Sequence, residues 1–138
     1  MAEPAPSRKS AGKCVLIVED NALNMKLFAA MITAQGYEVM QAEDGSHALE
    51  LAHRWHPDLI IMDLQLPDMS GLVVTHTLKT DDDTHEIPII ATSAYARSGD
   101  EATIRESGCD GYMAKPIAIS DFLELIELLM SRECQTVA

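Results

Sequence analysis

The chain has 138 residues, of which 47% are hydrophobic and 23% are charged, so it is long enough to bury the core of one domain. Acidic residues outnumber basic residues by 22 to 10, which gives a formal net charge of −12 at pH 7. A field of that sign repels nucleic acids and anionic membranes, so the composition argues against direct binding to either.

The cysteines and the N-terminal segment indicate a cytoplasmic protein. The cysteines at positions 14, 109 and 134 show no spacing typical of a metal site, which favours free thiols in a reducing compartment. Residues 1–12 are rich in Pro, Ala, Ser and Gly and predict a flexible tail, without the apolar stretch of a signal peptide. No run of the sequence reaches the length that crosses a bilayer, so we expect no membrane partner.

The first half of the chain alternates between short apolar runs and segments of helical periodicity. Residues 14–18, CVLIV, form a continuous apolar run that is typical of a strand covered on both faces. A helix begins after Asn21 as its N-cap and ends at Gly36, and residues 37–42 predict a strand nearer the sheet edge. A second helix ends near Pro57. On the first helix, Leu27 and Phe28 are predicted to share a face with Met31 and Ile32. The side chains predicted to face inward from the second helix are Ala48, Leu51, Ala52 and Trp55.

The same alternation continues through the second half of the chain. The further strands are predicted at residues 59–63, 87–92 and 111–114, and a helix at 70–79. Ser98 and Glu101 form an S-x-x-E capping box for a helix that ends near residue 107, with Gly108 as its stop. The acidic run at 81–83 predicts a solvated loop. Leu72 and Leu78 are predicted to face inward from the 70–79 helix, and the last helix is marked by Phe122, Leu125, Ile126 and Leu129.

Five strand–helix units in strict alternation predict a parallel sheet with helices on both faces and right-handed crossovers. At this length the flavodoxin-like (βα)5 fold of the α/β class, with strand order 2-1-3-4-5, fits better than the longer Rossmann order. We expect one domain over residues 13–131, followed by a short C-terminal tail over 132–138, which leaves no room for an output domain.

Carboxylates follow two strands that are neighbours in this order. Glu19 and Asp20 end the first strand and Asp63 ends the third, so the three acids are expected to meet at the carboxyl edge of the sheet. Like charges a few ångströms apart are unfavourable unless a cation or shifted pKa values relieve them. Mg²⁺ fits, because it is a hard ion that takes a few carboxylates and leaves sites for phosphoryl oxygens. The backbone carbonyl of Gln65 is a candidate additional ligand.

Two further groups point to phosphate chemistry at the same edge. The fourth strand ends in TSA, which places the Ser93 hydroxyl at the rim. The fifth ends in AKP, which places the Lys115 ammonium there, with Pro116 fixing the turn and a cis peptide bond as one option. An acid nucleophile, a divalent cation, a lysine and a hydroxyl together can bind and stabilise a transferring phosphoryl group.

The segments LIVEDN, LIIMDLQLP, ATSA and KP, in this order and spacing, resemble the receiver domain of two-component response regulators. The similarity covers residues 13 to about 130 and rests on four short motifs at the expected strand ends. Departures are mild, because Ser93 stands where Thr is commoner, Glu19 where Asp is often found, and Ser70 in place of a frequent Asp. None of them removes a catalytic group.

The resemblance implies a role for each residue at this edge. By position, Asp63 is the phosphoacceptor, and Mg²⁺ is held by Glu19, Asp20, Asp63 and the carbonyl of Gln65. The switch hydroxyl, the cation that contacts the phosphoryl oxygens and the aromatic switch residue correspond to Ser93, Lys115 and Tyr112. The chain is therefore expected to be a signalling phosphoacceptor and not an enzyme that acts on other substrates. It would catalyse phosphoryl transfer to itself and then lose the group slowly.

The resemblance also implies the partners. A sensor histidine kinase or a histidine phosphotransfer protein donates the phosphoryl group, and the output is a protein contact made by a monomer or weak dimer, without nucleic acid. The stretches VEDNALNMKLF, AQGYEV, KTDDD and GDEATIRESGC further resemble single-domain receivers that govern cell-cycle progression and polarity in bacteria.

Several alternatives stay open at this point. Taken singly, Asp63 fits a turn or cap residue, Lys115 an exposed lysine, Ser93 a turn residue and Tyr112 a core residue. The main rival function is a small-molecule phosphatase or phosphotransferase with an aspartyl-phosphate intermediate, although Gln65 stands where a haloacid-dehalogenase-type enzyme needs a second acid. A flavin-binding module would need a phosphate-binding loop after the first strand, and the sequence has none there. A receiver-like adaptor that binds partners without phosphorylation would not need the three carboxylates of Glu19, Asp20 and Asp63.

Overall fold

The computed structural model describes residues 13–94 and 100–136, and the side chains of 13–94 and 102–130. Strands and helices alternate strictly over these residues. In chain order they are β1 (Cys14–Val18), α1 (Ala22–Ala34), β2 (Glu38–Ala42), α2 (Gly45–Trp55), β3 (Leu59–Asp63), α3 (Gly71–Lys79), β4 (Ile89–Ser93), α4 (Asp100–Glu106), β5 (Gly111–Ala114) and α5 (Ile119–Thr136). The strands pair in parallel in the order β2-β1-β3-β4-β5, which confirms the predicted flavodoxin-like α/β fold.

The sheet separates two hydrophobic clusters. Every residue of β1, β3 and β4 is buried, which explains why these strands are mostly continuous apolar runs. Successive side chains of a strand point to opposite faces. Leu16 and Ile60 therefore pack with residues of α2 and α3, whereas Ile17 and Ile61 pack with residues of α1 and α5.

Polar side chains cap the N-termini of three helices. Asn21 accepts a hydrogen bond from the backbone N–H of Asn24, which confirms it as the N-cap of α1. Asp44 and Ser70 cap α2 and α3 in the same way. At the other end of α1, Gly36 has a φ of 94°, which a residue with a Cβ rarely adopts, so the predicted stop is confirmed.

The prediction that Leu27 shares a face of α1 with Phe28 and Ile32 is wrong. Its side chain is 54% exposed, whereas Met25, Phe28 and Ile32 are buried. These three residues follow an i, i+3, i+7 spacing, which forms one stripe along α1. Leu27 lies one residue, about 100° of helix rotation, away from Phe28 and falls on the solvent side of that stripe.

Element boundaries differ slightly from the sequence prediction. β4 spans Ile89–Ser93 instead of 87–92, because the backbone N–H of Ile87 donates back to Thr84 in the preceding turn and Pro88 has no N–H to pair. The capping role of Ser98 lies outside the described residues. α5 continues to Thr136, into the segment assigned to a tail, and the division into domain and tails stays a prediction. Within the described ranges, no helix combines the length and apolar character that crossing a membrane requires.

The acidic run at 81–83 forms turns between α3 and β4, and two of its carboxylates reach the end of α2. The Nε2 atom of His53 lies 2.9 Å from Asp81 Oδ2, and the Nε2 atom of His56 lies 3.0 Å from Asp83 Oδ2. The hydrogen bond to Asp81 raises the pKa of His53 above its usual value. These contacts join two helix–strand units away from the carboxyl edge of the sheet.

The aromatic pair between α1 and α5 provides a test of the packing. Phe122 is fully buried, and its ring centroid lies 5.3 Å from that of Phe28. Replacing Phe122 by Ala is expected to lower the free energy of unfolding by about 3–5 kcal/mol, because it removes apolar contacts and leaves a cavity. The matched control is Leu128→Ala on the same helix, where a 59% exposed side chain changes stability by about 0.5 kcal/mol or less. Urea unfolding followed by circular dichroism measures both, and equal losses would contradict the assigned packing.

Candidate functional site

Strand register brings the site residues to one edge of the sheet. In the β1–β3 pair Val18 lies beside Met62, so the next residues, Glu19 and Asp63, emerge side by side. Asp63 is also the register partner of Thr92 on β4, the residue before Ser93. The parallel arrangement points all of these strand ends in the same direction, as the sequence predicted.

Glu19, Asp20 and Asp63 form an acidic cluster. One carboxylate oxygen of each lies within 4.8 Å of those of the other two, and Glu19 and Asp63 are buried whereas Asp20 is exposed. The predicted convergence of the three acids is therefore confirmed. Around a six-coordinate Mg²⁺ with bonds of about 2.1 Å, adjacent oxygens lie about 3 Å apart and opposite ones about 4 Å apart, so the size and the hard-oxygen chemistry of the cluster fit that ion.

Lys115 reaches the same cluster from the end of β5. Its Nζ donates a hydrogen bond to Glu19 Oε1 at 2.7 Å and lies 3.4 Å from Asp63 Oδ2, with 14% of the side chain exposed. The peptide bond between Lys115 and Pro116 is cis, which is the option that the sequence left open. Lys115 therefore contacts both buried acids at once, and its Nζ lies nearer to Glu19 than to Asp63.

Burial, together with the smaller effect of the negative charge of Glu19, raises the pKa of Asp63 to about 6. Two donors act in the opposite direction. The backbone N–H of Gln65 donates to Asp63 Oδ1 at 3.0 Å, and the Lys115 ammonium attracts the ionised form. The carboxylate of Asp63 is therefore held in place but incompletely neutralised by the protein alone. Positive charge beside it would favour the ionised, nucleophilic form.

Gln65 contributes a side-chain contact that sequence reasoning missed. Its Nε2 donates to the buried Ser93 Oγ at 3.0 Å, and its Oε1 accepts from the backbone N–H of Ala94 at 3.4 Å. The sequence predicts a role only for the backbone carbonyl of Gln65, as a metal ligand, and that role stays a prediction. No sequence signal could have revealed the side-chain contact, because its partners lie far apart along the chain and meet only through the order of the strands.

Tyr112 lies at the edge of this arrangement. It is half-buried on β5 and packs against the hydrophobic cluster that faces α2 and α3. Its register partner on β4 is Ala91, two residues before Ser93. This position is compatible with both a core residue and an aromatic switch, and the switch role stays a prediction.

The loop after Asp63 returns tightly to the strand it leaves. The backbone N–H of Gly71, at the start of α3, donates to the carbonyl of Leu64 at 3.0 Å. A Cβ added at Gly71 would overlap the backbone carbonyl oxygen of Asp63, so a residue without a side chain is needed at this close approach. The loop between Leu64 and Ser70 is thereby closed at its base, directly beside the acidic cluster.

Comparisons with known proteins identify the class to which this protein belongs. The response regulator receiver domain family matches residues 15–127, so the chain belongs to that family. Among its curated relatives are the polar-differentiation response regulators DivK of Brucella ovis and Brucella abortus (strain S19). Each is 53% identical to this chain over 115 residues, which is 83% of this chain and 94% of the relative. The small-molecule phosphatase considered from the sequence is not favoured.

Solved structures give the same fold. The receiver domain of the sensor histidine kinase PA1611 from Pseudomonas aeruginosa PAO1 has a magnesium ion coordinated in its active site cleft. It superposes with a TM-score of 0.80 at 31% identity, over 86% of this chain and 98% of that chain. A CheY-like receiver domain protein from Methanospirillum hungatei reaches a TM-score of 0.83 at 24% identity, over 90% and 98% of the two chains.

The raised pKa of Asp63 predicts a specific dependence of stability on pH in metal-free buffer. Its folded value of about 6 lies above the unfolded value of about 3.9, so between these values the folded state binds more protons than the unfolded state. The contribution of Asp63 to stability is therefore fully present below about pH 4 and is lost as the pH rises through about 6. Asp63→Asn cannot titrate and is expected to lose this component.

Urea unfolding between about pH 4 and pH 7 gives the free energy of unfolding of the original chain and of Asp63→Asn, and the difference between the two reports the contribution of Asp63. The variant is expected to become the more stable of the two as the pH rises. Parallel pH profiles for the original chain and Asp63→Asn would contradict the raised pKa.

Proposed function

We propose that this receiver domain accepts a phosphoryl group from a phosphohistidine onto Asp63, with Mg²⁺ as cofactor, and so switches a protein-binding face. The observation that carries the proposal is the buried Asp63 carboxylate at the carboxyl edge of the sheet, with two acids and Lys115 gathered around it. A lone turn residue would need neither the buried second acid nor the ammonium. Membership of the response regulator receiver family supports the same role.

Glu19, Asp20, Asp63 and the backbone carbonyl of Gln65 would hold the metal ion. When bound, Mg²⁺ supplies positive charge that offsets the acids and the oxygens of a transferring phosphoryl group. The clustering of carboxylate oxygens supports this assignment, as does the receiver domain from Pseudomonas aeruginosa that contains a magnesium ion in its cleft.

The residues of the chain provide the rest of the chemistry. A carboxylate oxygen of Asp63 attacks phosphorus, a phosphorus–oxygen bond forms, and the phosphorus–nitrogen bond of the donor breaks with its electron pair leaving on the imidazole. The Gln65 N–H fixes Oδ1 of Asp63, which leaves Oδ2 on the side of Lys115. The Lys115 ammonium is then placed to contact the phosphoryl oxygens and stabilise their charge.

The switch follows from the new charge at Asp63. A phosphoryl group offers strong acceptor oxygens, and the buried Ser93 hydroxyl and Lys115 are the donors at the adjacent strand ends. Movement of Ser93 toward the phosphoryl group would require its hydrogen bond with Gln65 to break. The population then shifts toward a conformation with an altered surface over α4, β5 and α5, with Tyr112 as the aromatic switch on β5.

The donor would be a sensor histidine kinase or a histidine phosphotransfer protein, and the output a contact with another protein. Matched DivK relatives consist almost entirely of this domain, since 94% of their length is aligned, and their name assigns them to polar differentiation. Regulation of polarity or the cell cycle is therefore proposed for this chain. It would act in the cytoplasm as a monomer or weak dimer, catalyse transfer only to itself and lose the phosphoryl group slowly.

The phosphoacceptor is tested with a small-molecule donor. Incubation with acetyl phosphate and Mg²⁺ is expected to add one phosphoryl group per chain, measured by intact-protein mass spectrometry, because the nucleophile and its activating groups all belong to this chain. Asp63→Asn is expected to take up none. Asp58→Asn, at an acid that precedes β3 and bonds the backbone N–H of Cys14, is the matched control and is expected to label normally. Labelling of Asp63→Asn to the normal extent would remove Asp63 from this role.

The switch is tested with beryllium fluoride, which mimics a phosphoryl group on an aspartate. In the presence of Mg²⁺ it is expected to shift the backbone amide resonances of Ser93, Tyr112 and Lys115, since these residues must respond to new charge at Asp63. Two-dimensional NMR of labelled protein provides the measurement, with Asp63→Asn as the control that shows no shifts. Unchanged resonances at Ser93 and Tyr112, despite shifts at Asp63 itself, would argue against the proposed switch.

A further inference from the structure

Asp68 connects the loop after β3 to the start of α2. Its Oδ1 accepts a hydrogen bond from the backbone N–H of Gly45 at 2.7 Å, and its Oδ2 accepts from the backbone N–H and the hydroxyl of Ser46, each at 3.0 Å. Backbone N–H groups in the first turn of a helix lack partners within the helix, and a carboxylate there is favoured by the helix dipole. These donors, the Gly45 N–H first, lower the pKa of Asp68 below its usual range, so it is ionised at neutral pH.

The connection is additional to the cap that α2 already has. Asp44, the residue before the helix, accepts from the backbone N–H of His47 at 2.8 Å. Asp44 and Asp68 therefore bond different N–H groups of the same helix end, but only Asp68 comes from the loop that follows the phosphoacceptor. A contact between this loop and α2 is thus built into the structure beyond what capping the helix requires.

Packing at the same place reinforces the contact. A Cβ added at Gly45 would lie 2.6 Å from Met69 Cγ, 2.9 Å from Met69 Sδ and 2.9 Å from Val74 Cγ2. Met69 follows Asp68 directly and therefore rests against the bare backbone at the start of α2. Side-chain hydrogen bonds and close packing together fix the outer part of the loop to this helix.

The inner part of the same loop carries the metal and phosphoryl chemistry. Gln65, three residues before Asp68, bonds both Asp63 and Ser93 and presents the carbonyl assigned to the metal. An isolated antiparallel bridge pairs Gln65 with Ser70, so the outer and inner parts of the loop are linked across its base. The position of the Gln65 carbonyl therefore depends on the contacts that Asp68 and Met69 make with α2.

We infer that Asp68 is a positioning residue for the metal site: by fixing the loop to α2, it holds the Gln65 carbonyl in the conformation that binds Mg²⁺. The inference rests on the proposed function, because it assumes that Mg²⁺ binds at the acidic cluster. Asp68 itself is exposed and acts only through the loop. Without the Asp68 carboxylate, the loop conformation that binds Mg²⁺ is populated for a smaller fraction of the time. The apparent affinity for Mg²⁺ falls by the same factor as that population.

Isothermal titration calorimetry with Mg²⁺ alone tests the inference on the full chain. Asp68→Ala is expected to weaken Mg²⁺ binding by about fivefold or more, and Asp68→Asn, which keeps one acceptor oxygen but no charge, by an intermediate factor. Asp44→Ala is the matched control, since it removes the other cap of the same helix without touching the loop. It is expected to lower the thermal stability of the chain and to leave the Mg²⁺ affinity unchanged.

Hydrogen exchange supplies a readout that a purely structural role of Asp68 would not affect. If the loop contact favours metal binding, linkage requires that metal binding favours the loop contact. Addition of Mg²⁺ is therefore expected to slow exchange of the Gly45 and Ser46 amides in the original chain. The His47 amide, which is bonded to Asp44, is the internal control and is expected to change less.

The outcomes separate the inference from the function on which it rests. Normal Mg²⁺ binding by Asp68→Ala, or equal losses in Asp68→Ala and Asp44→Ala, would overturn the positioning role while leaving phosphorylation of Asp63 intact. Failure of the original chain to bind Mg²⁺ would instead remove the proposed metal site, and the inference with it. A selective loss in Asp68→Ala together with slowed exchange at Gly45 and Ser46 establishes the positioning role.

Discussion

Two carboxylates buried side by side, those of Glu19 and Asp63, set the requirements that the rest of this structure meets. Burial and the neighbouring charge of Glu19 both oppose ionisation of Asp63, and its pKa is raised to about 6 as a result. Lys115 offsets part of that charge through its contacts with both acids, and the Gln65 N–H offsets another part. The remaining deficit of positive charge is what makes the cluster suited to a divalent cation and a phosphoryl group.

The parallel sheet places the two buried acids side by side, and Gln65 and Lys115, which lie just beyond the ends of β3 and β5, complete the arrangement. β1 and β3 are buried on both faces and cannot shift without moving both hydrophobic clusters, so the ends of these strands are rigid. Glu19 and Asp63 follow directly from those ends. Ser93 ends β4, which is buried as well, whereas Lys115 follows the less buried edge strand β5.

The loop between β3 and α3 has two sides with different tasks. Its inner side, at Gln65, contacts Asp63 and Ser93, while its outer side, at Asp68 and Met69, is fixed to the start of α2. Gly71 closes the base of the loop against the strand backbone. Chemistry at Asp63 is in this way connected to a helix that contributes no residue to the acidic cluster.

The sequence by itself determined the order of elements and a parallel sheet, because apolar runs, helical periodicity and strict alternation are local signals. The strand order, and with it the gathering of Glu19, Asp20, Asp63 and Lys115, followed from the flavodoxin-like order that fits five such units and from the resemblance to receiver domains. It assigned Leu27 wrongly, since periodicity alone does not fix the rotation of a helix against the sheet. Only the tertiary structure decided the contacts between residues far apart along the chain, such as the Gln65 bond with Ser93 and the bonds of Asp68 with α2. Polar side chains in loops choose partners by where the fold places them, and no spacing in the sequence records that choice.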